Sequence, residues 1–154
     1  MKKTILVTLL AACASLPTLA AEGRWTEGYG QGNLEYFIDL SGMRLYIGCP
    51  TKDGSADAMS SVSFYNINTN AAAKAFTITA NGITFEGPFD ANSRVGENNF
   101  IALINALRKG NAVVKVGKQS YTFPLSNAAK VIPAPSSKGF SCNTIDLLPN
   151  LVRN

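Results

Sequence analysis

The sequence predicts a mainly β protein: an antiparallel β-sandwich or half-barrel with one amphipathic helix, about residues 99–109, and one disulfide. Three observations lead there. Apolar and polar residues alternate in several short runs joined by short polar turns. A single stretch, Phe100, Leu103, Ile104 and Leu107, follows helical spacing. No strand–helix–strand alternation of the kind a parallel sheet needs is present.

The first 20 residues are set apart from the rest. Lys2 and Lys3 precede an apolar stretch from Ile5 to Ala12, Pro17 breaks it, and Thr18-Leu19-Ala20 offers small residues where a signal peptidase reads. Residues 1–20 therefore read as a signal peptide and 21–154 as a single exported domain. Leu10-Ala11-Ala12-Cys13 also fits a bacterial lipobox, which would leave the protein lipid-anchored through Cys13 at the outer membrane instead of free in the periplasm or outside the cell. No apolar run reaches the roughly 20 residues of a spanning helix.

The elements of the mature chain follow in order. Residues 21–33, rich in glycine around Trp25 and Tyr29, read as a lead-in loop. Leu34–Leu40 and Met43–Cys49 read as strands around the turn Ser41-Gly42. In the second, Met43, Leu45 and Ile47 share one face, with Arg44 and Tyr46 on the other. Pro50–Ala58 is a polar loop. Met59–Ile67 is a strand with Val62 and Phe64 inward and Ser61, Ser63 and Tyr65 on the opposite face. Asn66–Ala73 turns, with one helical turn at Ala71–Ala73. Phe76–Thr79 and Ile83–Glu86 flank Asn81-Gly82, whose residues tolerate the positive φ of a type I′ turn. Gly87–Asn98 is a loop.

The helix that follows is capped by Asn98 or Asn99, carries Arg108-Lys109 at the negative end of its dipole, and ends at Gly110. Val113–Val116 and Tyr121–Leu125 form a hairpin around Gly117-Lys118. Ser126–Val131 is a short helix and Pro133–Gly139 a loop. Beyond Cys142, Ile145, Leu147 and Leu148 pack back on the body. Six or seven strands and one long helix result.

Once Cys13 leaves with the leader, Cys49 and Cys142 remain. An even pair in an oxidising compartment reads as one disulfide. Closing so long a loop stabilises by about 4 kcal/mol in the chain-entropy account.

Charge and composition narrow the functional classes. Losing Lys2 and Lys3 leaves 12 of the 14 cations against 10 acids, a net charge near +2, with no basic run to track a phosphate backbone. Nucleic acid is thus not an expected partner. The absence of histidine removes Ser-His-Asp and Cys-His catalysis and every His-ligated metal site. Gly-x-Ser-x-Gly is absent. Asp53 and Asp57 share one loop but lack the spacing of an EF-hand. Glu86 and Asp90 bracket Gly87-Pro88-Phe89 and would serve as an acid pair only if the fold set them across a cleft. No cofactor or metal is predicted, and the chain does not read as an enzyme.

Aromatic residues are the remaining resource. Tyr46 and Tyr65 fall on the polar faces of their strands, and Trp25 lies in the lead-in. Tyrosine offers large contact area and a hydrogen bond at low entropic cost. Trp25, Tyr46 and Tyr65 are therefore the candidate binding residues.

The order of Phe100–Leu125, with Ala106-Leu107-Arg108-Lys109-Gly110, a valine-rich strand, Tyr121-Thr122-Phe123-Pro124-Leu125 and then Asn127-Ala128-Ala129, resembles the C-terminal half of exported proteobacterial proteins of the invasion-associated locus B type and related periplasmic families. That resemblance implies a β-sandwich and a non-enzymatic envelope role, and it carries over no catalytic residue.

The reading that results is a periplasmic or secreted binding protein, acting by surface contact with a protein or envelope component. A periplasmic inhibitor or immunity protein that neutralises a toxin or lytic enzyme is the alternative. A small hydrolase or ligand carrier stands behind both.

Overall fold

A computed structural model describes residues 22–30, 32–50, 58–124, 126–142 and 144. The predicted signal peptide with Cys13, Asp53 and Asp57, and Ile145, Leu147 and Leu148 lie outside the described residues.

Nine strands and two helices are present among the described residues. Strands β1 (Thr26–Gly30), β2 (Asn33–Leu40), β3 (Met43–Pro50), β4 (Ser61–Asn66) and β7 (Phe89–Asp90) form one sheet in the order β1-β2-β3-β4-β7. Strands β6 (Ile83–Gly87), β5 (Phe76–Ala80), β8 (Ala112–Val116) and β9 (Gln119–Phe123) form a second, in the order β6-β5-β8-β9. Every pairing is antiparallel.

Turn chemistry explains the hairpins. Ser41 and Gly42 have φ of 51° and 75°, and Asn81 and Gly82 have 49° and 77°. Both pairs thus adopt the two positive φ angles of a I′ turn, whose twist matches that of its strands. Period two then sorts the side chains. Tyr36 and Ile38 on β2, Leu45 and Ile47 on β3, and Val62 and Phe64 on β4 are buried on the inner face. Phe76 and Ile78 on β5, Val114 on β8 and Phe123 on β9 face them in one core. Phe64 is the meeting point of the two sheets: its ring centroid lies 5.8 Å from Phe76, 5.4 Å from Tyr121 and 6.1 Å from Phe123.

The core is closed by α1 (Arg94–Leu107), which buries Phe100, Leu103, Ile104 and Leu107. The predicted apolar stripe is therefore a core face. Its start differs from the expected one: the cap is Ser93, whose Oγ accepts from the Gly96 N–H at 3.0 Å, and not Asn98 or Asn99. The first turn holds a glycine and an exposed valine, Val95, so helical periodicity begins a turn later than the helix. Arg108 is not in the last turn. It caps the helix and donates to the carbonyls of Ala129 and Ile132, tying α1 to α2 (Ala128–Val131).

Two expected loops contain strands. Residues 26–30 form β1 because Gly28 and Gly30 occupy outward positions of an edge strand, opposite Glu35 and Asn33, where backbone pairing needs no side chain. Asp90 and Phe89 of β7 pair with Ser61 and Val62. Ala71–Ala73 form no helical turn; Ala72 bridges Tyr65 instead.

Cys49 at the end of β3 and Cys142 form the disulfide, 93 residues apart in sequence, with both residues fully buried. It fastens the C-terminal segment to the centre of the five-stranded sheet.

Candidate interaction surface

The outer face of the five-stranded sheet is assembled by register. Asp39 pairs with Arg44, and Arg44 with Tyr65. The next outward row is Thr26, Phe37, Tyr46 and Ser63; the one after it is Gly28, Glu35, Gly48 and Ser61. Three aromatic rings, one cation and two carboxylates thus meet on three central strands.

Arg44 organises the first row. Its Nε and Nη2 donate to the two Asp39 oxygens at 2.6 and 2.7 Å, a two-pronged pair in which both side chains are partly shielded from solvent. The guanidinium carbon sits 3.9 Å from the Phe37 ring centroid and 6.0 Å from that of Tyr65, within the range of cation–π attraction. Hydrogen bonding to Asp39 raises the arginine pKa further above its already high value.

Tyr46 links the rows. Its ring centroid is 6.1 Å from that of Tyr65, at 57°. Its hydroxyl donates to Glu35 Oε1 at 2.9 Å. Burial, and then the bond to Glu35, push the Tyr46 hydroxyl pKa well above its ordinary value of 10. The ring is folded along the sheet: a Cβ on Gly48 would lie 3.0 Å from its Cε1, so Gly48 makes room for it. Phe37 leans toward Gly28 in the same way, at 3.4 Å.

The structure therefore brings Tyr46 and Tyr65 together, half-buried, on the solvent side of the sheet. It does not place Trp25 with them. Trp25 is 2 % exposed and belongs to the core, held by backbone bonds to Asn127. Its position just before β1 turns the indole inward, so it offers no contact surface. Phe37, Arg44, Glu35 and Asp39 were not among the sequence candidates. The alternation of Leu34–Leu40 is mixed, because Phe37 interrupts it; the period-two spacing of Leu34, Tyr36, Ile38 and Leu40 is the signal that would have turned Phe37 outward.

Glu86 and Asp90 stand on strands of different sheets, β6 and β7. Asp90 accepts from the Asn92 N–H at 3.2 Å. The outer face of the four-stranded sheet is dominated by hydroxyls, with the Oγ1 atoms of Thr79 and Thr84 2.9 Å apart. An open groove of about 390 Å³ runs between α1 and the C-terminal segment, past Glu97, Ile101, Asn105, Phe140 and Thr144. No helix among the described residues is long and apolar enough to cross a membrane.

No curated protein and no solved structure matches the chain. A family model described as YfjT matches residues 23–132, a span that runs from the lead-in to β1 through α2 and includes every residue of the aromatic face; the chain belongs to the YfjT family.

Proposed function

We propose that this protein is a non-enzymatic binding module of the periplasm or the cell exterior, which holds a protein or envelope component against the outer face of β1–β4. The observation that carries this is the cluster of Phe37, Tyr46 and Tyr65 around Arg44 on the solvent side of a sheet whose central strands pack their other side into the core. Aromatic rings and arginine are the residue types that dominate contact energies. The Asp39–Arg44 and Glu35–Tyr46 pairs hold these groups in one geometry before any partner arrives, which lowers the ordering cost of association.

An oxidised Cys49–Cys142 pair is in keeping with export. So are the leader-like residues 1–20 and the resemblance of Phe100–Leu125 to exported proteins of the invasion-associated locus B type.

The test is site-specific photo-cross-linking in living cells. A photoreactive residue at Ser63, in the middle of the face, is expected to give a reproducible adduct with one identified partner. The same residue at Thr79, on the outer face of the other sheet, is expected to give none. Equal labelling from both positions, or none from Ser63, would overturn the reading.

A further inference from the structure

We infer that the outer face of β1–β4 takes a basic peptide segment of its partner, with a lysine or arginine head group seated at Glu35 against the rings of Phe37 and Tyr46. The inference rests on the reading that this face is the contact surface, and adds the chemistry of what it contacts.

Charge distribution is the first support. The outer face of β1–β4 carries Glu35 and Asp39 against Arg44, and Asp39 engages Arg44, so Glu35 is its unmatched charge; Glu27 lies on the other side of the sheet, opposite Tyr36. The described residues from 67 to 144 carry eight lysines and arginines against three acids. An aromatic face with one unmatched negative charge therefore stands opposite a basic half of the protein, and an interface of that sign selects a cationic partner.

Geometry is the second. The first outward row already holds a cation in the arrangement proposed: the Arg44 guanidinium lies over Phe37 at 3.9 Å with a carboxylate, Asp39, on its edge. One row further, Glu35 offers a second carboxylate beside the same Phe37 and beside Tyr46, and its register row (Gly28, Gly48, Ser61 and Asp90) contains no cation. Glycine on both sides of Glu35 makes room for the Phe37 and Tyr46 rings to lie close over the sheet beside it. A carboxylate with ring faces beside it attracts an ammonium or guanidinium through charge and ring quadrupole together.

The experiment titrates the processed, disulfide-bonded protein with two probes, an end-blocked hexalysine and an end-blocked hexaglutamate, by calorimetry at roughly 50 mM salt, where screening is modest. Hexalysine is expected to bind and hexaglutamate not to. Glu35→Gln and Tyr46→Leu are each expected to weaken hexalysine about tenfold. Glu86→Gln, an acid on the other sheet, is expected to change nothing. Thermal unfolding of each variant confirms that it is folded, and Glu27→Gln, an acid on the other side of the same sheet, is likewise expected to change nothing. Absence of hexalysine binding, equal binding of hexaglutamate, or equal weakening by Glu86→Gln would overturn the inference. If the Ser63 cross-link still forms while hexalysine does not bind, the contact face stands and only its cationic preference falls.

Discussion

Trp25 and Asn127, 102 residues apart, exchange a reciprocal pair of hydrogen bonds: the Trp25 N–H donates to Asn127 Oδ1 at 2.9 Å, and Asn127 Nδ2 donates to the Trp25 carbonyl at 2.8 Å. Only a side-chain amide supplies donor and acceptor in this geometry. The bond pair fixes the chain entering β1 to the residue that precedes α2. Asn127→Ala is expected to cost about 2–3 kcal/mol, from two partly buried backbone groups left without partners. Asn127→Asp is expected to cost at least as much, because a carboxylate would face the Trp25 carbonyl. Urea unfolding midpoints check both.

Gly96 gives a prediction of unusual sign. Alanine inside a helix ordinarily gains about 1 kcal/mol over glycine. Here a Cβ would overlap the Asp90 backbone carbonyl, because the first turn of α1 packs directly against β7. Gly96→Ala is therefore expected to lower the thermal midpoint, and a rise would show that α1 does not approach β7 this closely.

Reduction of the Cys49–Cys142 bond releases a loop of more than ninety residues. Cys142→Ser is expected to lose about 4 kcal/mol in the entropic account. Since the segment leading to Cys142 also lines the groove beside α1, limited proteolysis of the variant is expected to cut first between Pro133 and Cys142.

Alkaline titration separates the tyrosines. Burial, helped by Glu27, raises the Tyr36 hydroxyl from 10.0 to about 12, and burial with the Glu35 bond raises Tyr46 as well. A group that holds its proton more tightly when folded adds stability that is fully present below the unfolded value and declines as pH climbs from there to the folded one. Stability is therefore expected to fall from about pH 10 upward, with the Tyr36 contribution gone near 12. Phenolate absorbance of the native protein is expected to lag that of the unfolded chain. Tyr36→Phe is expected to shrink the lag; coincident curves would contradict the burial of both groups.

The parts of this fold that sequence reveals are those decided within a few residues. Ser41-Gly42 and Asn81-Gly82 announce their turns because few residues adopt positive φ, and the Phe100–Leu107 stripe announces its helix through spacing. The pairing of Cys49 with Cys142 followed from counting. What stayed hidden depends on distant pairing. β1 is a strand because Gly28 and Gly30 lie beside β2, although glycine argues against strands locally. The backbone of Trp25 is held by Asn127, 102 residues further along the chain. Asp39 and Arg44 are neighbours across a predicted hairpin, but Tyr65 joins them only through the register of β3 with β4. The aromatic face is thus spelled out in period-two alternation, while its composition as a cluster needs the sheet order.

Backbone amide NMR of the isotope-labelled, disulfide-bonded protein, titrated with solubilised envelope fraction from its host, maps the contact directly. The expected result is loss of signal concentrated at Glu35, Phe37, Tyr46, Ser63 and Tyr65, with Thr77, Thr79 and Thr84 unchanged. Perturbation centred on the four-stranded sheet, or a spectrum that does not change, would contradict the assignment of the outer face of β1–β4 as the working surface of the protein.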